Sequence, residues 1–296
     1  MHRAFAAWLN ERPWRAVLSS ASLGALSYQG LSPFAVVAGA VPVFVTLRRD
    51  VALGASCALA GAIAAALVLL RIGQSPVATF AYVAALFVAP FALGVLVRQT
   101  QSLNLAFQCA VLGIGALLGV VYAVLDNPAG FWEPLLREAA RSLTQKGLVT
   151  DADAVVTSMT HSLWGMCAAL FLLTLLGALF LGRWWQSLLE APGEFGREFR
   201  ALRLGQFLGV IAMVVVLVAM LKDIEMIDAL AWVAVTALAF QGLAAAHQRK
   251  QSGRMSRGTL VAMYILLIVP LSAFIMVSVL AGWGLADNWR RLRLST

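Results

Sequence analysis

The sequence predicts an all-α polytopic transmembrane helical bundle of about eight or nine spans, with interfacial amphipathic helices. Three observations carry this. Of 296 residues, 61% are hydrophobic and 12% are charged, and the mean hydropathy is +0.85. A soluble domain uses about 25% charged residues to cover its water-facing surface, roughly twice this share. The apolar residues also fall into runs of the length a bilayer demands, about 20 residues as helix, since an unpaired backbone group in hydrocarbon costs several kcal/mol. Finally, no Asp, Glu, Lys or Arg stands in the middle of any of these runs.

In chain order the spans read as approximately 15–31, 33–47, 51–70, 76–97, 104–125, 160–182, 204–221, 229–246 and 259–282 within one transmembrane domain, 1–296. The stretch before the first is polar, and no small-residue cleavage site follows a short apolar core, so a cleaved signal peptide is not expected. The first two spans are short and divided by Ser32-Pro33, the mark of a tight hairpin, because Pro suits a first helical position and disfavours helix at the residue before it. Segment 126–159 is an outer loop with an amphipathic helix: Leu135, Leu136, Ala139, Ala140 and Leu143 make one face, and Glu133, Arg137, Glu138 and Arg141 the other. Thr150 and Asp153 have capping-box spacing, opening a helix that runs unbroken through Val155 and Met159 into the next span. Segment 183–203 is an inner amphipathic connection, with Phe195, Phe199 and Leu202 following the Pro192-Gly193 break. Pro270 offers a second reading of 259–282 as a split hairpin.

Charge separates by side. With the N-terminus in the cytoplasm, the inner segments hold 14 Lys/Arg against five acids, and the outer segments five against eight. The positive-inside rule favours that orientation and a bacterial cytoplasmic (inner) membrane location, with the lipid bilayer as the first partner. The tail stays open: nine crossings leave Arg290, Arg291 and Arg293 outside, and eight bring them inside. The net charge of +8 therefore reports orientation, and nucleic acid is not an expected partner. Trp14, Trp132, Trp164, Trp184, Trp185, Trp232 and Trp283 fall at span ends, where an aromatic belt places them.

The absence of charge within spans argues against proton pumps, gating charges and intramembrane aspartyl chemistry. Ser56 lacks a facing His at depth, so rhomboid-type proteolysis is not expected, and the chain reads as a non-enzyme without cofactors. His2, His161 and His247 are far apart, and Cys57, Cys109 and Cys167 sit singly in apolar runs, so no metal-ligand spacing arises. The basic loop from His247 to Arg257 reads as solvated and close to anionic lipid. Gly54, Ala58, Ala62 and Ala66 repeat every four residues, a close-packing face that serves either packing within the chain or partner docking.

Neutral polar residues within spans remain as ligand candidates, and Gln241 and Tyr264 are among them. Gln108 and Tyr122 lie close to four turns apart on one helix face, and Tyr28, Gln29, His161 and Trp164 lie on the outward side with Tyr122. Together they outline a pocket opening outward.

Three stretches together resemble the uncharacterised bacterial membrane family typified by YybS: Pro192 to Gly205, the N-terminal hairpin leading into Arg48-Arg49, and the ending Gly284-Leu285-Ala286-Asp287-Asn288-Trp289-Arg290-Arg291-Leu292-Arg293. In that ending Gly284, Asp287, Trp289 and Arg293 stand at the family's end-motif positions. The family is similar in fold to the S components of energy-coupling-factor transporters and to MreD. The resemblance implies a small-molecule-binding or transport subunit that docks on an ATPase-driven transport module, or else a non-catalytic scaffold among envelope proteins. It also matches Ala58 and Ala62, with Ala66 one step on, to an S-component docking face.

Overall fold

The computed structural model describes residues 2–29, 33–146 and 151–293, and among them the chain is helical with no strand. The helices are α1 (His2–Glu11), α2 (Pro13–Leu26), α3 (Pro33–Arg48), α4 (Val51–Arg71), α5 (Pro76–Val83), α6 (Ala89–Thr100), α7 (Leu103–Val124), α8 (Pro128–Gln145), α9 (Ala152–Thr160), α10 (Leu163–Glu190), α11 (Glu194–Arg200), α12 (Gly205–Leu221), α13 (Glu225–Gln251), α14 (Arg257–Ile268) and α15 (Pro270–Arg293). Starts follow local chemistry. Asp50 caps α4 through Leu53 N at 2.7 Å, and Ser75 caps α5 through Ala78 N at 3.2 Å with Pro76 at the first turn. A π-helical turn, Ala84–Val88, joins α5 to α6 just before Pro90, whose missing N–H an unbroken α-helix would leave as a gap.

Among the described residues six helical stretches are long and apolar enough to cross a membrane: α4, Pro76–Thr100, α7, α10, α13 and Pro270–Trp289 of α15. A seventh arises if α11 and α12, bent by 54°, count as one. This all-α polytopic bundle is consistent with an integral membrane protein, but it corrects the count of eight or nine spans. The first two predicted spans are α2 and α3, of 14 and 16 residues, too short to cross alone. The last, 259–282, is broken at Val269 ahead of Pro270 into a 12-residue helix and a longer one that runs to Arg293. Thr150 lies outside the described residues. The helix expected to run unbroken from 151 is interrupted at His161-Ser162, between α9 and α10.

The chain, read from its sequence as one transmembrane domain, packs as two compact units, Met1–Ala110 with Leu173–Leu202, and Val111–Leu172 with Arg203–Thr296. α7 and α10 contribute one part to each.

In the first unit α3 is the core: every residue from Ala38 to Leu47 is buried. A helix apolar on all sides belongs in an interior, which is why its shortness is tolerated. α2 and α4 approach so closely that a Cβ on Gly24 would overlap the carbonyl oxygen of Gly61. One end of this unit gathers charge. Arg48 pairs with Glu190 at 2.5 Å, and Arg49 donates to Asn10 Oδ1 at 2.9 Å. Arg98 donates to the carbonyls of Thr46 and Leu47 at 2.6 and 3.3 Å. Arg183, almost fully buried, donates to both carboxylate oxygens of Glu198 at 2.9 and 2.7 Å and pairs with Glu194 at 3.0 Å. Residues 183–190, expected in a connection, are thus the last turns of α10, and Trp185 is buried against Phe5 and Phe44 instead of anchoring at an interface.

In the second unit α13 is the central element. His247 Nε2 lies 2.8 Å from Tyr264 Oη of α14, and Arg249 lies over the Trp283 ring of α15. The same end of α13 therefore touches α14 and α15, so the chain reverses at Val269-Pro270 and α15 returns toward that end. α13 and α15 meet backbone to backbone: a Cβ on Gly242 would overlap Leu280 O, and one on Gly284 would overlap Leu238 O. Beside this crossing, buried Gln241 accepts from Leu204 N at 3.0 Å and donates to Asn288 Oδ1 at 3.4 Å, and Asn288 Nδ2 donates to Gly205 O at 3.0 Å. Two amides thus satisfy the backbone groups freed where α11 breaks from α12, as an apolar setting requires.

Candidate functional site

α13 begins at an acidic end. Asp228 lies there within electrostatic reach of Asp223, Glu225 and His161, while Arg249 and Lys250 close the other end. Two sequence-predicted residues meet at the acidic end, and a third, Trp164, follows His161 by three residues. Tyr122, in the last turn of α7, donates to the backbone carbonyl of Glu225 at 3.3 Å. His161, in the break before α10, places Nδ1 3.1 Å from Glu225 Oε1. Trp164, in the first turn of α10, donates from Nε1 to Pro128 O at 2.8 Å and so ties α10 to the start of α8.

Asn127 opens α8 by capping Gly130 N at 2.9 Å, and this turn delivers Phe131 and Trp132 to Trp164. The three rings form a triangle with centroids 5.1 to 5.4 Å apart, mostly tilted or edge-on, the geometry that aromatic quadrupoles favour. Trp132 Nε1 is buried and has no hydrogen-bond partner among the described residues. Phe131 remains exposed, and the His161 and Glu225 side chains are 49% and 36% exposed, so the cluster is reachable from outside. Its chemistry is that of apolar ring faces beside surplus carboxylate.

The other residues of the expected pocket belong to the first unit. Gln108 is on α7 with Tyr122, but fourteen residues of helix separate them by about 21 Å, and Gln108 belongs to the first unit. Tyr28 and the backbone of Gln29 form a 3-10 turn in the first unit; the Gln29 side chain lies outside the described residues. Glu225, Asp228, Phe131 and Trp132 were missed as ligand residues. Their signals were a carboxylate pair at i, i+3 opening a helix and Phe131 adjacent to Trp132, which was already assigned to the belt.

On α4, Ala58 is buried with Ala35, Ala38, Ala65, Leu86 and Phe87, and Ala62 and Ala66 are half-buried. This part of the small-residue face is spent within the chain, and Leu59, Ile63 and Leu67 form the exposed stripe. In the end motif Gly284 makes the close approach to α13, Asp287 is half-buried and Trp289 is exposed; the Arg293 side chain lies outside the described residues. A shallow cleft beside Asn288 is lined by Gly209, Val210, Met213, Leu285 and Trp289. Among the described residues no group of three or more His, Cys, Asp or Glu is arranged to hold a metal ion.

No family model matches the chain, and no curated protein or solved structure is significantly similar to it.

Proposed function

We propose that the chain is a non-enzymatic, small-molecule-binding or transport subunit of the bacterial inner membrane, resembling an S component, with its ligand site at the acidic end of α13. The observation that carries this is the convergence of Tyr122 and His161 on Glu225 beside the Phe131–Trp132–Trp164 triangle. Carboxylates beside aromatic faces select a ligand with positive charge and an apolar or flat body, such as an organic amine. The kinship with YybS-like proteins rests on the three short stretches alone.

Orientation belongs to the same proposal. The segments holding Asn10, Arg48, Arg98 and Arg183 gather at one end of the first unit, and all were assigned inside by charge. In the second unit the return of α15 brings its basic end to the side of Arg249, which supports a cytoplasmic tail and removes the break in the charge pattern.

A thermal-shift screen of the purified chain against vitamins, amino acids and organic amines tests the reading. A ligand should raise Tm, and Trp164→Leu and Glu225→Gln should abolish that shift while folding normally. Co-purification of an ATPase pair would add support for transport. A screen without any stabilising ligand, together with recovery of envelope proteins, would replace this reading with the scaffold resembling MreD.

A further inference from the structure

Each unit gathers cations at one end. In the first, Arg48, Arg49, Arg98 and Arg183 each end on a carboxylate, an amide or a backbone carbonyl. At the basic end of the second, Arg249, Lys250, Arg254 and Arg257 have no carboxylate within ion-pair distance, and their side chains find no hydrogen-bond acceptor among the described residues.

The fold concentrates these four. α13 ends with Gly253 at φ +72, a left-handed position that glycine adopts without strain, and the turn is closed by Arg254 N donating to Arg249 O at 2.9 Å and Gly253 N to Lys250 O at 3.2 Å. Arg254 is thereby folded back over the last turn of α13. Ser256 then caps α14 through Thr259 N at 3.0 Å, which fixes Arg257 at its first position. Beneath them Trp283 carries the Arg249 guanidinium 4.5 Å from its ring centroid, and Tyr264 holds His247 at 2.8 Å. Aromatic rings with polar tips under a layer of uncompensated cations match the layering of a leaflet, acyl chain below and phosphate above. The end of α15, whose sequence carries Arg290, Arg291 and Arg293, returns to this side.

We propose that this end of the second unit binds anionic phospholipid headgroups, with Arg249, Lys250, Arg254 and Arg257 facing lipid phosphate and Trp283 and Tyr264 set at the boundary between headgroup and acyl chain. The proposal requires only that the chain spans a bilayer, and it is independent of the ligand site at the acidic end.

The test uses the full chain in a neutral detergent, titrated with short-chain phosphatidylglycerol, short-chain phosphatidylcholine or inorganic phosphate, with Tm as readout. Phosphatidylglycerol should raise Tm well beyond phosphatidylcholine, and the preference should fade in high salt as screening shortens. The quadruple variant R249Q/K250Q/R254Q/R257Q should lose the preference by at least about tenfold in the lipid concentration needed, since each interfacial cation contributes about fivefold. If that variant does not fold, Arg254→Gln and Arg257→Gln, both exposed, should each weaken the preference separately, and Arg71→Gln should leave it intact. Equal shifts with both lipids, an equal shift with inorganic phosphate, or an undiminished preference in these variants would overturn the proposal.

Discussion

Gly284 and Gly242 show how much a single missing side chain decides. α13 and α15 touch through their backbones at this pair, and association within lipid depends on such close packing, because the hydrophobic effect adds nothing between helices already in hydrocarbon. Gly284→Leu would drive a side chain into Leu238 O, and overpacking of this kind costs about 1–3 kcal/mol. A marked fall in Tm is expected. Gly113→Ala, where a Cβ meets nothing within 4 Å, should leave Tm unchanged or slightly raised, since Ala is the better helix former. A fall of equal size in both would show that the crossing is not what the glycine serves. Gly284 drew attention in the sequence only through a resemblance, and Gln241 only as a lone amide. What they do was not legible there, because the partners of each, Leu238 and Asn288, are more than forty residues away in sequence.

Elements were legible where hydropathy alone governs. α4, α7 and the long Pro76–Thr100 helix lie within a few residues of their predicted bounds, because lipid-facing helices carry their signal locally. The errors arose where a charge or a break has a distant partner. The span ending at residue 182 stopped at Arg183 on the rule that charge marks a boundary, yet Glu194 and Glu198 fold back on α11 and compensate that arginine, so α10 continues to Glu190. The interruption at His161 carries no Gly or Pro to announce it, and His161 is held by Glu225 across the unit. The Arg183–Glu198 bond is the hinge pin of α11. A double-mutant cycle with Arg183→Ala and Glu198→Ala should return a coupling of about 1.5–3 kcal/mol, the range for hydrogen bonds to charged groups, and either variant should speed proteolysis within 191–203. Additive effects with unchanged proteolysis would show that α11 is held by its apolar face, Phe195 and Phe199 against Phe180, instead.

For the molecule as a whole, the sparse charge agrees with an integral membrane protein, and its placement agrees with the gathering of segments at one end of the first unit, but the path of the last hundred residues required structure. Hydropathy reads 259–282 as one run and Pro270 offers its split as a second reading; the structure takes the split, giving a short helix and a long one with the tail returned to the basic end. Reporters test this directly: one fused after Thr296 and one inserted at Ser252 should report the same side of the membrane, and one inserted at Lys146 the opposite side. A tail on the side of Lys146 would refute the reversal.

α14 has one further consequence. Its 12 residues extend about 18 Å against a hydrocarbon core of about 30 Å, and its broken end is kept from wanting water by Ser272, whose hydroxyl donates to Leu266 O and Val269 O at 2.9 and 3.2 Å. In a bilayer, lipid beside α14 would meet a helix that stops part-way, a step that membranes accommodate by local thinning or by tilting of the tails.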